Sequence, residues 1–356
     1  VTTRYYGLQK VGCNMDVTRR TEDECFPFVR IVGQEQMKRA LLLNIVDPAI
    51  GGVLIKGEKG TAKSTTVRSL GAILPEVTSS GCQFNCCTDN PRFMCASCLK
   101  KYEEGKLEGG TRRMTVVELP LNATEDRISG SLDVEHILST GERKFEGGVL
   151  ARANGNLLYV DEVNLLDDHI VDILLDSAAM GRNYVEREGI SFSHPAKFIL
   201  IGSMNPEEGN LRPQLLDRFG MSVDIATERD PATRVEIVKR RLTFDRDPAA
   251  FCEECREDTE ALRERIGNAR EILPEVVASD SIIHSIAVAS IKFGLEGHRA
   301  DLAMIRSAKA NAALDGRKEV VKQDIVDTAP LVMQHRIKSG PFEEARFDRE
   351  ALIRCL

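Results

Sequence analysis

The sequence contains no tryptophan and only five tyrosines among 356 residues, so it offers no broad aromatic surface. No apolar run approaches the roughly 18 residues of a membrane span, and the amino-terminal segment lacks the apolar core of a secretory signal. We therefore expect a cytoplasmic protein without a membrane span. Positive charge is not in excess, because the formal net charge is −7, and such a balance does not attract nucleic acid.

Paired histidines are also absent, because the six histidines are scattered and no two have the spacing of metal ligands. The ten cysteines, in a reducing compartment, are expected to be thiols or metal ligands rather than disulfides. Apolar residues make up 42% of the chain, which is enough for a sizeable core. The length favours two domains or one large domain.

The stretch GGVLIKGEKGTAKSTTVRSL, from Gly51 to Leu70, has the order strand, loop, helix. This order is typical of a phosphate-binding loop, in which backbone N–H groups surround the β- and γ-phosphates. We expect Lys63 to bind those phosphates and the hydroxyl of Ser64 to bind Mg²⁺; a surface turn with a chance lysine is the alternative. The residues predicted to contact the nucleotide are Gly57, Glu58, Lys59, Gly60, Thr61, Ala62, Lys63, Ser64 and Thr65.

Ala62 departs from the usual phosphate-loop pattern, which has glycine before the lysine. Glycine is needed only where φ is positive or where a side chain would meet a phosphate. The chain is turning into a helix at this point, so we expect an ordinary negative φ for Ala62 and room for its methyl group. Gly57 and Gly60 remain at the bends.

A second motif, LLYVDE, ends with Asp161 and Glu162 at the carboxyl end of an apolar strand. Such a strand would bring Asp161 beside the Mg²⁺ held by Ser64, and would let Glu162 polarise a water for attack on the γ-phosphate. Two solvated acids at the end of a strand are the alternative. Coming after a phosphate loop, the pair favours an ATPase.

Two further polar residues follow the next strands. Asn205 ends the strand FILIGSMN, where a short amide can hold the attacking water or sense the γ-phosphate; Asn205-Pro206 is equally a turn signal. Arg218 follows a short helix and precedes a strand. It could reach a neighbouring subunit's phosphate as an arginine finger, and an ion pair with Asp217 or Asp224 is the alternative.

Strands and helices alternate to about residue 245, and the rest of the chain is helical. The pattern predicts an α/β fold with a five-stranded, parallel, doubly wound sheet and a helical domain at the carboxyl end. The predicted strands lie within 51–57, 115–121, 156–163, 197–205 and 221–226. The predicted divisions are a nucleotide-binding domain at 1–245, a helical linker at 246–278 and a helical lid domain at 279–356. The first domain is predicted to contain a Cys-rich insertion at about 81–101 and a β-hairpin at about 183–196.

The insertion GCQFNCCTDNPRFMCASC carries two close cysteine pairs and is too polar to form its own core. Four thiolates from such pairs favour a structural zinc site at Cys82, Cys86, Cys95 and Cys98, with Cys87 as the spare. An iron–sulfur cluster and plain surface thiols are the alternatives. Cys252 and Cys255 form another close pair, but the surrounding amphipathic helix shows no second pair, so no metal is expected there.

These motifs, together with Arg299 in the segment Gly297-His298-Arg299, resemble those of AAA+ P-loop ATPases. Longer stretches, among them ATEDRISGSLD and NPEEGNLRPQLLDRFG, resemble the ATPase (I) subunit of magnesium chelatase. The likeness extends over most of the chain, from about Phe28 to Arg336. It implies that Arg218 is an arginine finger, that Arg299 is a second sensing arginine from the lid, and that residues 29–35, including Val32, line the adenine pocket.

The resemblance also implies a ring of six subunits that uses ATP and Mg²⁺. The ring would drive insertion of a divalent metal, Mg²⁺ by resemblance, into a tetrapyrrole such as protoporphyrin IX. The complex would be a magnesium chelatase, an enzyme of the ligase class that serves chlorophyll or bacteriochlorophyll biosynthesis. The implied partners are a D-type subunit with AAA+ and integrin-I-like domains and a large catalytic subunit, H-type or cobaltochelatase-like. Because this chain has few aromatics and no paired histidines, tetrapyrrole binding is expected in another subunit.

Two other classes of ATPase share these motifs. One is a nucleic-acid motor, which would track its substrate with the hairpin NYVEREGISFSHPA; the tip at 186–189 is net acidic and has no aromatic residue for base stacking, so this class is disfavoured. The other is a MoxR-like chaperone that matures a metalloenzyme. Motor chemistry is the same in both classes, so partners distinguish them.

Overall fold

The computed structural model describes residues 25–132, 145–187, 190–337 and 347–356. The strands in these ranges are, in chain order, β1 (Val53–Gly57), β2 (Glu76–Ser79), β3 (Gly110–Arg113), β4 (Val116–Leu119), β5 (Ser131–Leu132), β6 (Phe145–Glu146), β7 (Leu157–Val160), β8 (Arg182–Arg187), β9 (Ile190–Pro195), β10 (Ile199–Met204) and β11 (Met221–Ile225). The α-helices are α1 (Glu35–Val46), α2 (Lys63–Ser69), α3 (Ala96–Glu103), α4 (Glu125–Ser129), α5 (Val149–Ala153), α6 (Asp168–Met180), α7 (Pro213–Leu216), α8 (Pro231–Arg246), α9 (Pro248–Glu254), α10 (Arg256–Ile272), α11 (Asp280–Lys292), α12 (Arg299–Leu314), α13 (Lys322–Met333) and α14 (Arg349–Ile353).

Five of the described strands form one parallel sheet in the order β11-β1-β10-β7-β4. Each lies within one of the five predicted segments, so the predicted α/β fold with a five-stranded parallel sheet is confirmed. The order places β10 between β1 and β7. The residues that follow these three strands therefore meet at one edge of the sheet, because the carboxyl ends of parallel strands lie together.

Both faces of the sheet are buried, as is typical of parallel sheets. Along β1, Val53 and Ile55 pack into one core and Leu54 packs into the other, because successive side chains of a strand point to opposite faces. Helix α1 covers the first face, and α5 and α6 cover the second. The sheet is therefore held rigidly between two helical layers, which fixes the positions of the loops at its edges.

The helical part of the chain begins at Pro231, where the Asp230 carboxylate caps α8 by accepting the backbone N–H of Thr233. Helices α10 to α13 share one core with α1 and β1. Arg39 of α1 donates to Asn311 of α12 and to Asp327 of α13, at 3.0 Å in each case. The carboxyl-terminal helices thus pack behind the sheet, on the face that α1 covers. The predicted divisions at residues 246 and 279 stay predictions.

Three antiparallel two-stranded ribbons lie outside this sheet among the described residues, and β5 with β6 forms the shortest of them. Strands β2 and β3 pair antiparallel, and the Cys-rich insertion lies between them and includes α3. Strands β8 and β9 pair antiparallel as a hairpin at the predicted place, although residues 188–189 of its tip lie outside the described residues. Where the chain is described, none of the helices combines the length and apolar character that a membrane crossing requires.

Candidate nucleotide site

The loop that follows β1 surrounds the amine of Lys63. This amine donates to the carbonyl oxygens of Gly57 and Glu58, the latter at 2.9 Å. Burial lowers the pKa of Lys63, although the nearby carboxylates of Asp161 and Glu162 act in the opposite direction. The backbone oxygens therefore hold the amine inside the loop, at the place where a phosphate-binding lysine is required.

The prediction of an ordinary negative φ for Ala62 is wrong. Its φ is 59° and its ψ is 20°, which is the left-handed region, rather than an ordinary negative φ. The loop must reverse direction immediately before α2 begins at Lys63, and this reversal requires the conformation that glycine adopts most easily. Gly60 in the same loop is also left-handed, with a φ of 82°. Ala62 is therefore tolerated with backbone strain rather than without it.

Ser64 and Asp161 lie side by side, as predicted for a shared Mg²⁺. The Ser64 hydroxyl is 3.1 Å from one carboxylate oxygen of Asp161. The other carboxylate oxygen accepts hydrogen bonds from the Tyr159 hydroxyl, at 2.8 Å, and from the Ser203 hydroxyl, at 2.5 Å. Burial by itself would raise the pKa of Asp161, but the hydrogen bonds from Ser203, Tyr159 and Ser64 outweigh it and lower that pKa. The carboxylate is thus kept ionised, the form that binds Mg²⁺.

Sequence reasoning missed Tyr159 and Ser203. Tyr159 is 1% exposed and comes from β7, two residues before Asp161, so the two share one side of the strand. Ser203 comes from the neighbouring strand β10, two residues before Asn205. The only sequence signal was a hydroxyl two residues before each predicted site residue, on strands that are otherwise apolar.

Glu162 directly follows Asp161 and is also left-handed, with a φ of 49°. Its backbone N–H donates to the Ser203 hydroxyl at 3.1 Å, which holds the strained residue in place. A residue other than glycine rarely adopts this conformation, and the exceptions are often found at functional sites. Asn205 is buried and its amide oxygen accepts the backbone N–H of Glu207 at 3.2 Å. The turn expected at Asn205-Pro206 is present, at the same edge as Asp161.

The predicted adenine segment lies beside the phosphate loop. The Gln34 amide donates to the carbonyl oxygen of Thr61 at 2.9 Å, and Val32 is half-buried nearby in the sequence. Gly33 approaches the carboxylate of Glu228, because a Cβ at Gly33 would lie 3.8 Å from it. Gln34 was not singled out from the sequence. The role of Val32 in binding adenine stays a prediction.

Arg218 and Arg299 do not lie at this edge. Arg218 pairs with Asp176 at 2.5 Å and with Asp172 at 3.2 Å, both on α6, rather than with Asp217 or Asp224. Arg299 pairs with Asp217 at 2.6 Å. Because Asp217 and Arg218 are neighbours, both arginines lie at the short segment 217–218. That segment precedes β11, whose first residue is paired with the first residue of β1. It therefore lies about 13 Å, the length of β1, from the phosphate loop.

The four predicted metal ligands come together. The thiol sulfurs of Cys82, Cys86, Cys95 and Cys98 all lie within 4.8 Å of one another, and the last three are buried. Cys87 points elsewhere, with its sulfur 3.2 Å from the Thr78 hydroxyl. In the other close pair, the Cys255 thiol donates to the Phe251 carbonyl of its own helix at 3.0 Å. Among the described residues, only the first cluster gathers the donors of a metal site.

The sheet order, the phosphate loop and the acid pair define a P-loop ATPase of the AAA+ class. Models of two families match the chain: the AAA domain (dynein-related subfamily) at residues 99–219 and the AAA lid domain at residues 283–354. A putative ATPase from Cytophaga hutchinsonii has a similar fold, with a TM-score of 0.60 over 92% of each chain at 19% identity.

Closer relatives name the family. The chain is 50% identical to the magnesium-chelatase subunit ChlI homolog of Methanocaldococcus jannaschii, over 92% of this chain and 89% of that protein. It is 48% identical to ChlI of Synechocystis, over 91% of each. A BchI–BchD complex of magnesium chelatase, built from a cryo-EM reconstruction, contains a chain 48% identical to this one, with a TM-score of 0.51 over 89% of this chain and 97% of that one. This chain belongs to the family of ATPase (I) subunits of magnesium chelatase.

Family membership confirms the prediction of an AAA+ motor subunit that uses ATP and Mg²⁺. It also decides against the MoxR-like chaperone, because magnesium-chelatase subunits match nearly the whole chain at about 50% sequence identity. Rice ChlI, a chloroplastic protein, is 50% identical over 91% of this chain and 79% of its own length.

Proposed function

We propose that this chain hydrolyses ATP within a ring of like subunits, six by resemblance, and that the ring drives a partner complex that inserts a divalent metal into a tetrapyrrole. Mg²⁺ and protoporphyrin IX are the proposed metal and ring. The observation that carries the proposal is the division of the catalytic side chains. Lys63, Ser64 and Asp161 lie at one edge of the sheet, and the two arginines lie at the other.

The side chains at the nucleotide edge have separate roles in this proposal. Lys63 binds the β- and γ-phosphates, and Ser64 and Asp161 hold Mg²⁺ between them. Glu162 polarises the attacking water, and Asn205 positions that water or senses the γ-phosphate. The left-handed backbone of Glu162, whose N–H donates to Ser203, fixes the direction in which its side chain leaves the strand end.

The arginines act on the neighbouring subunit's nucleotide. Arg218 stabilises the charge that develops on the γ-phosphate, and Arg299 from the lid contacts the same phosphate. Both now pair with partly exposed aspartates, and such ion pairs are weak enough to exchange for a phosphate. Because both flank one segment, a single interface would deliver them together. Each site is then completed only by assembly of the ring.

The partners follow from the family. A D-type subunit is proposed because the related BchI was built into a complex with BchD of magnesium chelatase from a cryo-EM reconstruction. A large H-type or cobaltochelatase-like subunit is proposed to bind the tetrapyrrole, since this chain has few aromatic residues and no tryptophan. Affinity capture from the native cells, followed by identification of the bound tetrapyrrole, tests both assignments.

The metal of the four cysteines is proposed to be structural. Its ligands come from the insertion between β2 and β3, and none of them belongs to the phosphate loop. The ion would therefore be zinc, or an iron–sulfur cluster in the alternative, and take no part in ATP hydrolysis. The cytoplasm is the proposed location.

The test of the ring is the activity of mixed variants. Arg218→Ala should bind MgATP with unchanged affinity and hydrolyse it at least about tenfold more slowly, because arginine fingers contribute about 10³ to 10⁵ in GTPases. Glu162→Gln should bind and not hydrolyse. Mixing the two should restore part of the activity, because some Arg218→Ala sites then receive the intact arginine of a Glu162→Gln neighbour.

Arg241→Ala is the matched control, since Arg241 is an exposed arginine whose partner is Asp245 on its own helix. It should hydrolyse ATP at the normal rate. A normal rate for Arg218→Ala, an absence of recovery in the mixture, or full activity of dilute monomer would each refute the ring. Lys63→Ala should abolish nucleotide binding altogether.

A further inference from the structure

The cysteine cluster has the dimensions of a site for a single ion. Four sulfurs on one Zn²⁺, with bonds of 2.3 Å in a tetrahedron, are separated by about 3.8 Å. A four-iron cluster binds its thiolates at the corners of a cube, which spreads them over about 6 Å or more. All the sulfurs here lie within 4.8 Å of one another. The spacing therefore fits a mononuclear ion and is too small for a cluster.

The surroundings of the sulfurs suit thiolates. The backbone N–H of Cys95 donates to the sulfur of Cys86 at 3.2 Å, and the Ser80 hydroxyl lies 3.3 Å from the sulfur of Cys98. Such outer hydrogen bonds orient metal ligands. The opening beside the cluster is lined by Lys101, Lys106 and Glu108, and Lys106 is paired with Glu104 at 3.0 Å. The donor set, four sulfurs, is one of those found in structural zinc sites.

The cluster also supports the β8–β9 hairpin through the residues between its ligands. Phe84 lies between Cys82 and Cys86, is 4% exposed, and stacks on His194 of β9 with ring centroids 5.2 Å apart. It also contacts Phe192 of β9, at 6.0 Å between centroids. The ligand pair on one side of the ion thus presents an aromatic side chain directly to the hairpin.

The other ligand pair reaches β8. Arg182 at the start of β8 donates to the carbonyl oxygens of Arg92 and Met94, at 3.2 and 3.3 Å. Met94 immediately precedes Cys95 and is buried in the same small core as Phe84. Both arms of the insertion therefore contact the hairpin next to a metal ligand. Without a metal, this small core would have little apolar area to hold four cysteines and the hairpin together.

We propose that Cys82, Cys86, Cys95 and Cys98 bind one Zn²⁺ and that this ion holds the β8–β9 hairpin in position through Phe84 and Arg182. The inference rests on the structural metal proposed above and extends it to a defined element of the motor. Hairpin strand β9 leads through Pro195 directly towards β10, the strand that ends at Asn205. The zinc site thereby stabilises an element that leads into the start of β10, whose other end carries Asn205 at the nucleotide edge.

Elemental analysis of the full chain, purified without chelator under reducing conditions, should find about one zinc ion per chain. Replacement by Co²⁺ should produce the visible absorption bands of tetrahedral thiolate-bound cobalt. Cys95→Ser combined with Cys98→Ser should lose the metal, and Cys87→Ser should keep it, because Cys87 is outside the cluster. Iron with visible absorbance, or protein free of metal, would overturn the zinc site.

Hydrogen exchange of the backbone amides in β8 and β9 tests the support of the hairpin. Both the double cysteine variant and Phe84→Ala should exchange these amides at least about tenfold faster than the unchanged protein. Phe84→Ala should retain its zinc, which separates the contact from the metal. Unchanged hairpin exchange in Phe84→Ala would overturn the support. MgATP binding, measured in parallel, should be retained in every variant, so a failure of the ATPase proposal would appear separately.

Discussion

Ala62 shows what a single backbone angle does to a phosphate loop. The residue is left-handed where related loops have glycine, and its Cβ makes that conformation about 1 kcal/mol or more less favourable. The loop keeps the conformation because Lys63 donates to two of its carbonyl oxygens and α2 begins immediately afterwards. The strain is therefore local, and a local change should remove it.

Ala62→Gly should raise the free energy of unfolding by roughly 0.5 to 1 kcal/mol, because glycine adopts the left-handed conformation without a Cβ clash. MgATP binding should be retained or strengthened. The measurements are the denaturant midpoint and nucleotide titration. Ala261→Gly is the matched control, since Ala261 is exposed within α10, where the same change should destabilise by a similar amount. A loss of stability in Ala62→Gly would contradict the account.

The environment of the Asp161 carboxylate is a second feature decided at single residues. Asp161 is held by the hydroxyls of Tyr159, Ser203 and Ser64, which come from three elements. Burial raises the pKa of the Tyr159 hydroxyl itself, so that group stays protonated and continues to donate. The acid pair and Ser64 could be predicted from their motifs, but Tyr159 and Ser203 could not, because neither belongs to a motif and Ser203 lies on another strand, 42 residues further along the chain.

Among the elements, the Cys-rich insertion and the segments that lead into β7 and β10 meet at Asn154. The buried Asn154 amide donates to the carbonyl oxygens of Phe84 and Asn85, at 2.7 and 3.2 Å, and its oxygen accepts the backbone N–H of Lys197 at 2.9 Å. One side chain thus joins the Cys-rich insertion to the segments that lead into β7 and β10. These are the strands that end at Asp161 and Asn205.

Asn154→Ala should lower the free energy of unfolding by about 1 to 2 kcal/mol, because it leaves the buried carbonyl of Phe84 and the part-buried backbone groups of Asn85 and Lys197 without this partner. The denaturant midpoint measures the loss. Asn210→Ala is the control, since Asn210 is exposed in a loop, and it should change stability by less than about 0.5 kcal/mol. Equal stability of the two variants would show that Asn154 does not connect these elements.

At the scale of the whole molecule, the segment after α13 is attached to residues 217–220, which precede β11 at the end of the sheet opposite the phosphate loop. Arg336 has a 5% exposed side chain and donates to Asp217 and to the carbonyl oxygens of Phe219 and Gly220. His335 contacts the same Phe219 carbonyl, at 3.2 Å through Nε2. The residues that follow α13 therefore hold the segment that carries Arg218.

This attachment should weaken in acid. Burial lowers the pKa of His335 well below its ordinary value, and the charges of Arg336 and Lys56 lower it further. The unfolded chain takes up a proton as the pH falls below about 6.5, whereas the folded chain does not until its own lower pKa is reached. The contribution of neutral His335 to stability is therefore fully present above pH 6.5 and is lost progressively below it.

Between pH 7 and pH 5.5 the free energy of unfolding should fall, with about 1 kcal/mol of the fall due to His335. His335→Gln, which keeps an N–H donor but does not titrate, should show a fall smaller by that amount. His169→Gln is the control, since His169 is exposed, and should behave like the unchanged protein. Denaturant unfolding at the two pH values measures all three. The same fall in His335→Gln as in the unchanged protein would exclude the attachment as the source.

The sequence by itself determined the five strands, the phosphate loop, the acid pair and the four cysteines. Each depends on a local pattern: an apolar run long enough for a buried strand, or polar residues at a spacing that one loop or one strand end can use. Such patterns survive any arrangement of the surrounding chain. They also carried the resemblance to the chelatase ATPase, because its motifs are contiguous in sequence.

Only the tertiary structure decided the left-handed angle of Ala62, the hydroxyls around Asp161, the edge at which Arg218 and Arg299 lie, and the contact of Phe84 with the hairpin. The arginines are separated from the phosphate loop by the register of β11 against β1, which no local pattern contains. Each of these features joins residues far apart in the chain. They depend on how the elements pack, and the free energy of that packing is shared among many contacts that the sequence does not show individually.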